Sequence, residues 1–264
     1  MSVPEHLAAL IRRARAADGA PPFSDQALVD LSFGRRRAIG DDSGTAILSE
    51  VEFELVVAPE RRRRGVGTAL TERVLAEISR PALAWAHGDS PGSRALAERF
   101  GFERVRMLLQ LRAPVPPKRT AMAAEVRPFR PGADDAAWLE LNALAFASHP
   151  EQGALTQTDL DARMAEPWFD PGSLLLLERD GAVVASCWLK VEDGIGEFYA
   201  VAVHPDAQGG GLGGALVDAG LTRLAELGIA TASLYVEGDN ERALGLYRSR
   251  DFTDHTVDVQ WRLA

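Results

Sequence analysis

Val203-His204-Pro205-Asp206-Ala207-Gln208-Gly209-Gly210-Gly211-Leu212-Gly213-Gly214-Ala215-Leu216 is the stretch that decides the fold. It follows an apolar run, Ile195 to Val203, and opens a periodic one, Leu212 to Leu227, so it reads as a strand, a glycine turn and a helix. Glycines at such a turn let backbone N–H groups approach a ligand closely. The N-terminus of the following helix favours an anion, so a phosphate or pyrophosphate is the expected ligand. The turn is neither a dinucleotide fingerprint nor a P-loop. No acidic residue stands about 20 positions on at the end of a next strand, and the Gly-Lys-Ser/Thr sequence is missing.

The stretch occurs twice. Val57-Ala58-Pro59-Glu60-Arg61-Arg62-Arg63-Arg64-Gly65-Val66-Gly67-Thr68-Ala69-Leu70 matches it at one constant offset in valine, proline, both glycines, alanine and leucine. Two copies of one fold explain that better than chance. The copies are separated by Ala113-Pro114-Val115-Pro116-Pro117-Lys118, where prolines lack the N–H and restrict their neighbours, as expected of a stiff linker. The expected division is a first domain over 1–113, a linker over 114–122 and a second domain over 123–264. Charge supports it: residues 1–118 carry net +3 and residues 119–264 net −12.

Composition narrows the class. The chain has 264 residues, 46% hydrophobic and 25% charged, room for two modest cores. The net charge of −9 argues against a general nucleic-acid binder. No apolar run approaches the ~20 residues of a membrane helix, and the N-terminus carries no export pattern. The single cysteine, Cys187, excludes an intramolecular disulfide and a cysteine-based metal site. A cytoplasmic protein without metal is expected.

Periodicity predicts helices at Pro4 to Ala17, Gly67 to Ile78 and Ser93 to Phe100 in the first half, and strands within Arg36 to Val57, at Ala82 to Ala86 and at Phe102 to Leu111. The segment before Pro59 is short for its strands. In the second half, helices are expected at Asp134 to Phe146, Thr158 to Met164, Leu212 to Leu227 and Glu241 to Arg248. Strands are expected at Ser173 to Leu177, Val183 to Val191, Ile195 to Val203, Thr231 to Val236 and, last, Asp254 to Leu263. The fold class is α/β, two tandem copies each with a mixed central sheet flanked by helices.

The glycine turn, a following strand, Asn240-x-x-Ala243-x-x-Leu246-Tyr247 and a strand opening at Phe252 together resemble the GNAT superfamily of acetyl-CoA-dependent N-acetyltransferases. Over most of residues 125–264 the resemblance is narrower. Asn142-x-x-Ala145-Phe146, His149-Pro150-Glu151-Gln152-Gly153, Trp168-Phe169-Asp170-Pro171, Trp188-x-Lys190, Gly196-Glu197-x-Tyr199 and Leu234-Tyr235-Val236-Glu237 are similar to the tandem members that complete mycothiol assembly. Those enzymes acetylate the cysteinyl amine of a cysteine–glucosaminyl–inositol conjugate.

The resemblance implies a sheet splayed to admit the pantetheine arm of acetyl-CoA. It places the co-substrate on Val201, Ala202, Val203, Gln208, Gly209, Gly210, Gly211, Leu212, Gly213, Gly214 and Asn240. Glu197 takes the base's position, acting directly or through a water, and Tyr247 the general acid's; a phenol with a pKa near 10 suits a proton donor to a thiolate. Glu151, Lys190 and Tyr235, with Asp25 from the first half, match positions that hold the sugar conjugate, although Asp25 replaces a longer glutamate. In the first half Val57, Arg63, Gly65, Gly67 and Thr68 keep the co-substrate turn, but Ala97 stands at the acid's place, Ser90 at that of Asn240 and, at the constant offset, Val51 at that of Glu197.

That half is expected to be a structural copy. Gly209 and Gly210 stand where relatives carry basic residues, so weaker co-substrate binding is expected in the active half. A small-molecule amine is the expected partner, with no nucleic acid or membrane and the chain acting as a monomer. Two other readings are open: a GNAT enzyme acting on another small amine or a protein N-terminus, and a non-catalytic acetyl-CoA-binding protein.

Overall fold

The structure, a computed structural model, describes residues 4–116, 126–147 and 150–264, with the backbone alone at Pro150 and Glu151. Residues 117–122 of the expected linker and His149 lie outside the described residues. The chain divides into two compact units. One holds 1–110, 237–239 and 254–264; the other holds 111–236 and 240–253.

In the first unit, α1 (Glu5–Asp18) and α2 (Asp25–Ser32) precede three strands, β1 (Arg37–Asp41), β2 (Gly44–Leu48) and β3 (Glu52–Val57). Then come α3 (Val66–Leu75), β4 (Ala82–His87), α4 (Pro91–Phe100) and the start of β5 (Glu103–Pro114). Leu7, Leu10 and Ala14 of α1 recur at helical spacing and pack with Phe23, Ala27, Ile47 and Val56 on one side of the sheet. Ala46, Leu48, Phe53, Leu70 and Val74 fill the other side, under α3. Helix α2 is absent from the sequence expectation. Ser24 caps it, accepting from the Ala27 N–H, and Ala27 is its buried contact.

The second unit runs β6 (Val126–Pro128), α5 (Asp135–Ala145), α6 (Pro150–Gly153), α7 (Gln157–Met164), β7 (Leu174–Arg179), β8 (Ala182–Glu192) and β9 (Ile195–Val203). It continues with α8 (Leu212–Glu226), β10 (Thr231–Glu237) and α9 (Glu241–Arg248). Its strands lie in the order β10-β9-β8-β7-β6, antiparallel except for the parallel β9–β10 pair. Leu212, Leu216, Val217, Leu221 and Leu224 bury one face of α8. A Cβ on Gly220 would overlap the Phe198 ring, and one on Gly196 would overlap Leu224, so these two glycines set how closely α8 lies on β9. Gly220→Ala is expected to lower stability by about 1–3 kcal/mol in urea unfolding, since the buried ring has no room to yield.

Two chain segments depart from the local reading. Ala113 and Pro114 extend β5 instead of ending it, and Val115 N–H donates to Ala230 O. Pro114 is the last residue of the strand, so the hydrogen bond it cannot donate falls at the end of the ladder. The last strand, β11 (Thr253–Leu263), does not close the second half's sheet. It pairs antiparallel with β4, Asp258 opposite His87 and Leu263 opposite Ala82, giving the order β1-β2-β3-β4-β11-β5 in the first unit.

Candidate active site

The second unit builds its site where β9 and β10 part. Their parallel ladder joins Ile195–Phe198 to Thr231–Leu234, and both strands continue beyond it, β9 to Val203 and β10 to Glu237. Val201, Ala202 and Val203 lie on the parted stretch of β9, with their other edge paired to β8. Backbone groups at such a gap must find a partner, and an extended amide-bearing arm is one that fits.

The turn from Pro205 to Gly211 then leads into α8. Gly209 (φ 88°) and Gly211 (φ 77°) hold left-handed backbone that a side chain disfavours, and Gly211 caps the helix. Gly213 and Gly214 lie in the first turn of α8 and Leu212 opens it. Gln208 folds back over the turn: its side-chain amide donates to Val203 O (3.4 Å), and its Oε1 accepts from Arg242 of α9 (2.9 Å). The turn thus combines free-facing glycine backbone with a helix N-terminus, an arrangement that suits a pyrophosphate.

Glu197 stands on β9 opposite Lys190 of β8 and Ser233 of β10. The β8–β9 register slips between Trp188 and Leu189, because Tyr199 is an extra residue on β9. The bulge lets Phe198 pack toward α8 while Tyr199 joins Trp168 and Trp188 on the opposite side (ring centroids 5.3 and 5.5 Å). Lys190 lies over the Trp168 ring (5.3 Å), with its ammonium 2.6 Å from Glu192, and Arg163 of α7 donates to the Tyr199 hydroxyl. Trp168 and Arg163 border Lys190 and Tyr199; the sequence held Trp168 only as part of a resemblance and did not single out Arg163. Tyr235 on β10 is 47% exposed. Glu151 falls in α6, its side chain outside the described residues, and Asp25 opens α2 in the first unit.

Tyr247 lies on α9 with its ring buried edge-on against Phe252 (5.7 Å). Burial, with the nearby Cys187, pushes its phenol above the usual tyrosine range, so it holds its proton throughout the neutral range. The hydroxyl makes no hydrogen bond to any described residue. Asn240 caps α9 through its Oδ1, which accepts from the Ala243 N–H (3.1 Å), so its amide N–H groups remain for a ligand. Cys187 is a core thiol whose pKa burial raises.

The first unit repeats this construction with different contents. Val57, Arg63, Gly65, Gly67 and Thr68 line one cavity of about 1000 Å³, together with Trp85 and His87. Arg63 (φ 59°) occupies the left-handed position that Gly209 holds in the second unit, and Arg62 is spent on a two-bonded pair with Asp18 (2.7 Å each). The constant offset puts Val51 at the place of Glu197, but the fold corrects this.

No bulge interrupts β2–β3, so the count shifts by one and Glu52 takes the position. Glu52-Phe53 faces Leu83-Ala84 on β4 as Glu197-Phe198 faces Ser233-Leu234 on β10. Phe53 also meets Phe102 edge-on (6.1 Å) as Phe198 meets Phe252 (5.8 Å). Glu52 is held by Arg36 (2.6 Å) and Gln260 (3.1 Å), and Ala97 leaves no phenol. Nearby, His87 is clamped between buried Glu54 (3.2 Å) and Asp258 (3.0 Å), and this pair of carboxylates raises its pKa to about 9 despite burial.

A strand–glycine turn–helix over a parted parallel pair, with a carboxylate on one of the strands and a protonated phenol on the helix that follows the other, is the arrangement of the acetyltransferase class. The sequence model of the acetyltransferase (GNAT) family matches residues 44–102 and 138–252, and the chain belongs to that family as an N-acetyltransferase. Its near relatives are mycothiol acetyltransferases. The one from Geodermatophilus obscurus is 46% identical over 97% of this chain and 92% of its own, and the one from Clavibacter michiganensis subsp. michiganensis is 49% identical over 96% and 89%. Among solved structures, a GCN5-related N-acetyltransferase from Sphaerobacter thermophilus superposes with a TM-score of 0.74 at 22% identity, over 98% of this chain and 91% of its own. A tandem GNAT protein from the clavulanic acid biosynthesis pathway superposes at 0.68 and 17%, over 98% and 93%. These two show the fold.

Proposed function

We propose that the second unit transfers the acetyl group of acetyl-CoA to the cysteinyl amine of a cysteine–glucosaminyl–inositol conjugate, giving mycothiol. The near-full-length similarity to proteins named mycothiol acetyltransferase carries the choice of acceptor. The residues of the site fit the co-substrate: the turn from Gln208 to Gly214 takes its pyrophosphate, and the parted edge of β9 at Val201 to Val203 and the amide of Asn240 take its arm. Acetyl-CoA supplies an acetyl group activated as a thioester.

Glu197 accepts the proton of the incoming ammonium, directly or through one water, leaving a lone pair on nitrogen. As that nitrogen bonds to the acetyl carbon and the carbon–sulfur bond breaks, Tyr247 gives its proton to the departing sulfur. The nitrogen, made positive by the attack, loses its second proton to solvent, and the phenolate takes one back, so that a neutral amide and a free thiol leave. Lys190, Tyr235, Glu151 and Asp25 are assigned to the hydroxyl-rich acceptor. The first unit, with Glu52 tied to Arg36 and Ala97 at the acid's position, is assigned a structural part, its cavity retaining a site of the acetyl-CoA type. The reaction is placed in the cytoplasm.

Incubating the chain with acetyl-CoA and the amine, and following free CoA thiol, tests the reading. Release above background is expected, and none from a folded protein would overturn it. A panel of other small amines and peptide N-termini separates the acceptor assignment from acetyl transfer itself. Glu197→Gln is expected to lower kcat/KM by about 100-fold, because the amide cannot accept the proton.

A further inference from the structure

The glycine turn of the second unit carries no cation of its own, yet two arginines from elsewhere in that unit converge on it. Arg242, two residues into α9, donates from Nη1 to Gln208 Oε1 at 2.9 Å. Arg179, the last residue of β7, places Nη1 4.0 Å from the point where a Cβ on Gly210 would stand. Both are exposed, and among the described residues neither pairs with a carboxylate. The neighbouring arginines of this unit differ. Arg223 is bound to Asp170, Arg250 to Asp218 and Arg127 to Asp134. A Cβ on Gly210 would stand in ordinary van der Waals contact with this nitrogen, so the Arg179 guanidinium borders the turn directly.

We infer that Arg179 and Arg242 are phosphate-binding residues of the co-substrate site, supplying from the β7–β8 hairpin and from α9 the charge that Gly209 and Gly210 do not. The ligand chemistry is the phosphate groups of coenzyme A, so the inference rests on the acetyl-CoA reading above. Backbone N–H groups and a helix dipole orient a pyrophosphate. Guanidinium groups add charge-assisted hydrogen bonds in a planar fork that matches phosphate oxygens. Gln208, held from one side by Arg242, is the piece of the turn that fixes where this arginine stands. The expectation of weakened binding then applies to the turn residues alone and not to the site.

The test compares Arg179→Met, Arg242→Met and the double variant with the parent chain, using acetyl-CoA and acetyl-pantetheine, which lacks the phosphates. Each single variant is expected to raise the KM for acetyl-CoA about tenfold, the scale of one charged hydrogen bond, and to leave the KM for acetyl-pantetheine unchanged. The parent's binding of coenzyme A should also fall more steeply with salt than that of the double variant. An unchanged KM for acetyl-CoA in the double variant overturns the inference. An equal loss with both substrates also overturns it, because the arginines would then be holding the fold. If the parent turns over no amine, the proposed function fails, and calorimetry of coenzyme A against pantetheine still decides the role of the arginines.

Discussion

Tyr247→Phe will lower kcat for acetyl transfer by about 10²–10⁴-fold while leaving the KM for acetyl-CoA and the unfolding midpoint close to those of the parent. The asymmetry follows from where the side chain sits. Its ring fills a buried place against Phe252, and phenylalanine keeps that packing. Its hydroxyl bonds to no described residue, so removing it leaves nothing in the fold unpaired. What is lost, on the proposed mechanism, is the proton for the leaving sulfur. Burial holds the phenol protonated, so the parent's kcat should stay level through neutral and mildly alkaline pH. Steady-state kinetics with free-thiol detection decides the matter, and a loss under threefold would remove the residue from the acid's role.

His87→Ala will destabilise the first unit by about 3–5 kcal/mol, the scale of leaving a buried charge without its partner. Glu54 is 1% exposed and accepts from the Ser24 N–H (2.7 Å), the Ser24 hydroxyl (2.7 Å) and His87 (3.2 Å). Asp258 accepts from His87 and from the Gly88 N–H (3.1 Å). Removing the imidazole takes this charged partner from both carboxylates and leaves Arg36 at 3.9 Å from Glu54.

The pH dependence has a definite sign. The folded-state pKa of His87 is raised from 6.5 to about 9, so its contribution is complete below about 6.5 and is lost as pH rises through 9. Over that window the loss reaches about 3 kcal/mol. Urea unfolding at pH 6 and pH 9.5, with amide exchange followed on β4 and β11, should show the decline in the parent and a flat response in the variant. A parent as stable at pH 9.5 as at pH 6 would exclude a charged His87.

What could be read from the sequence was local. The strand–turn–helix units at Val57 and Val203, the periodic helices and the phenol five residues before Phe252 are short-range patterns, and the structure has them near where they were expected. The misses share a different cause. The bulge at Tyr199 inserts one residue into one ladder, so a constant offset assigns Val51 where the sheet puts Glu52. Helix α2 is fixed by Ser24, whose partner Glu54 is 30 residues away. The clamp on His87 takes one carboxylate from β3 and the other from β11, 171 positions downstream. Sheet pairing sets these distances, and hydrophobic period carries no information about which strands pair.

The exchange of β11 also bears on how the gene can be cut. A truncation after Phe252 leaves the second unit's other described elements in place and removes β11 from between β4 and β5. Deleting residues 1–113 does the reverse, leaving the eleven-residue β11 with no β4 to pair against. Neither half can be subcloned at the proline-rich join without breaking a sheet. The copy that lacks the phenol is therefore kept by the path of the chain, whatever it contributes to the chemistry.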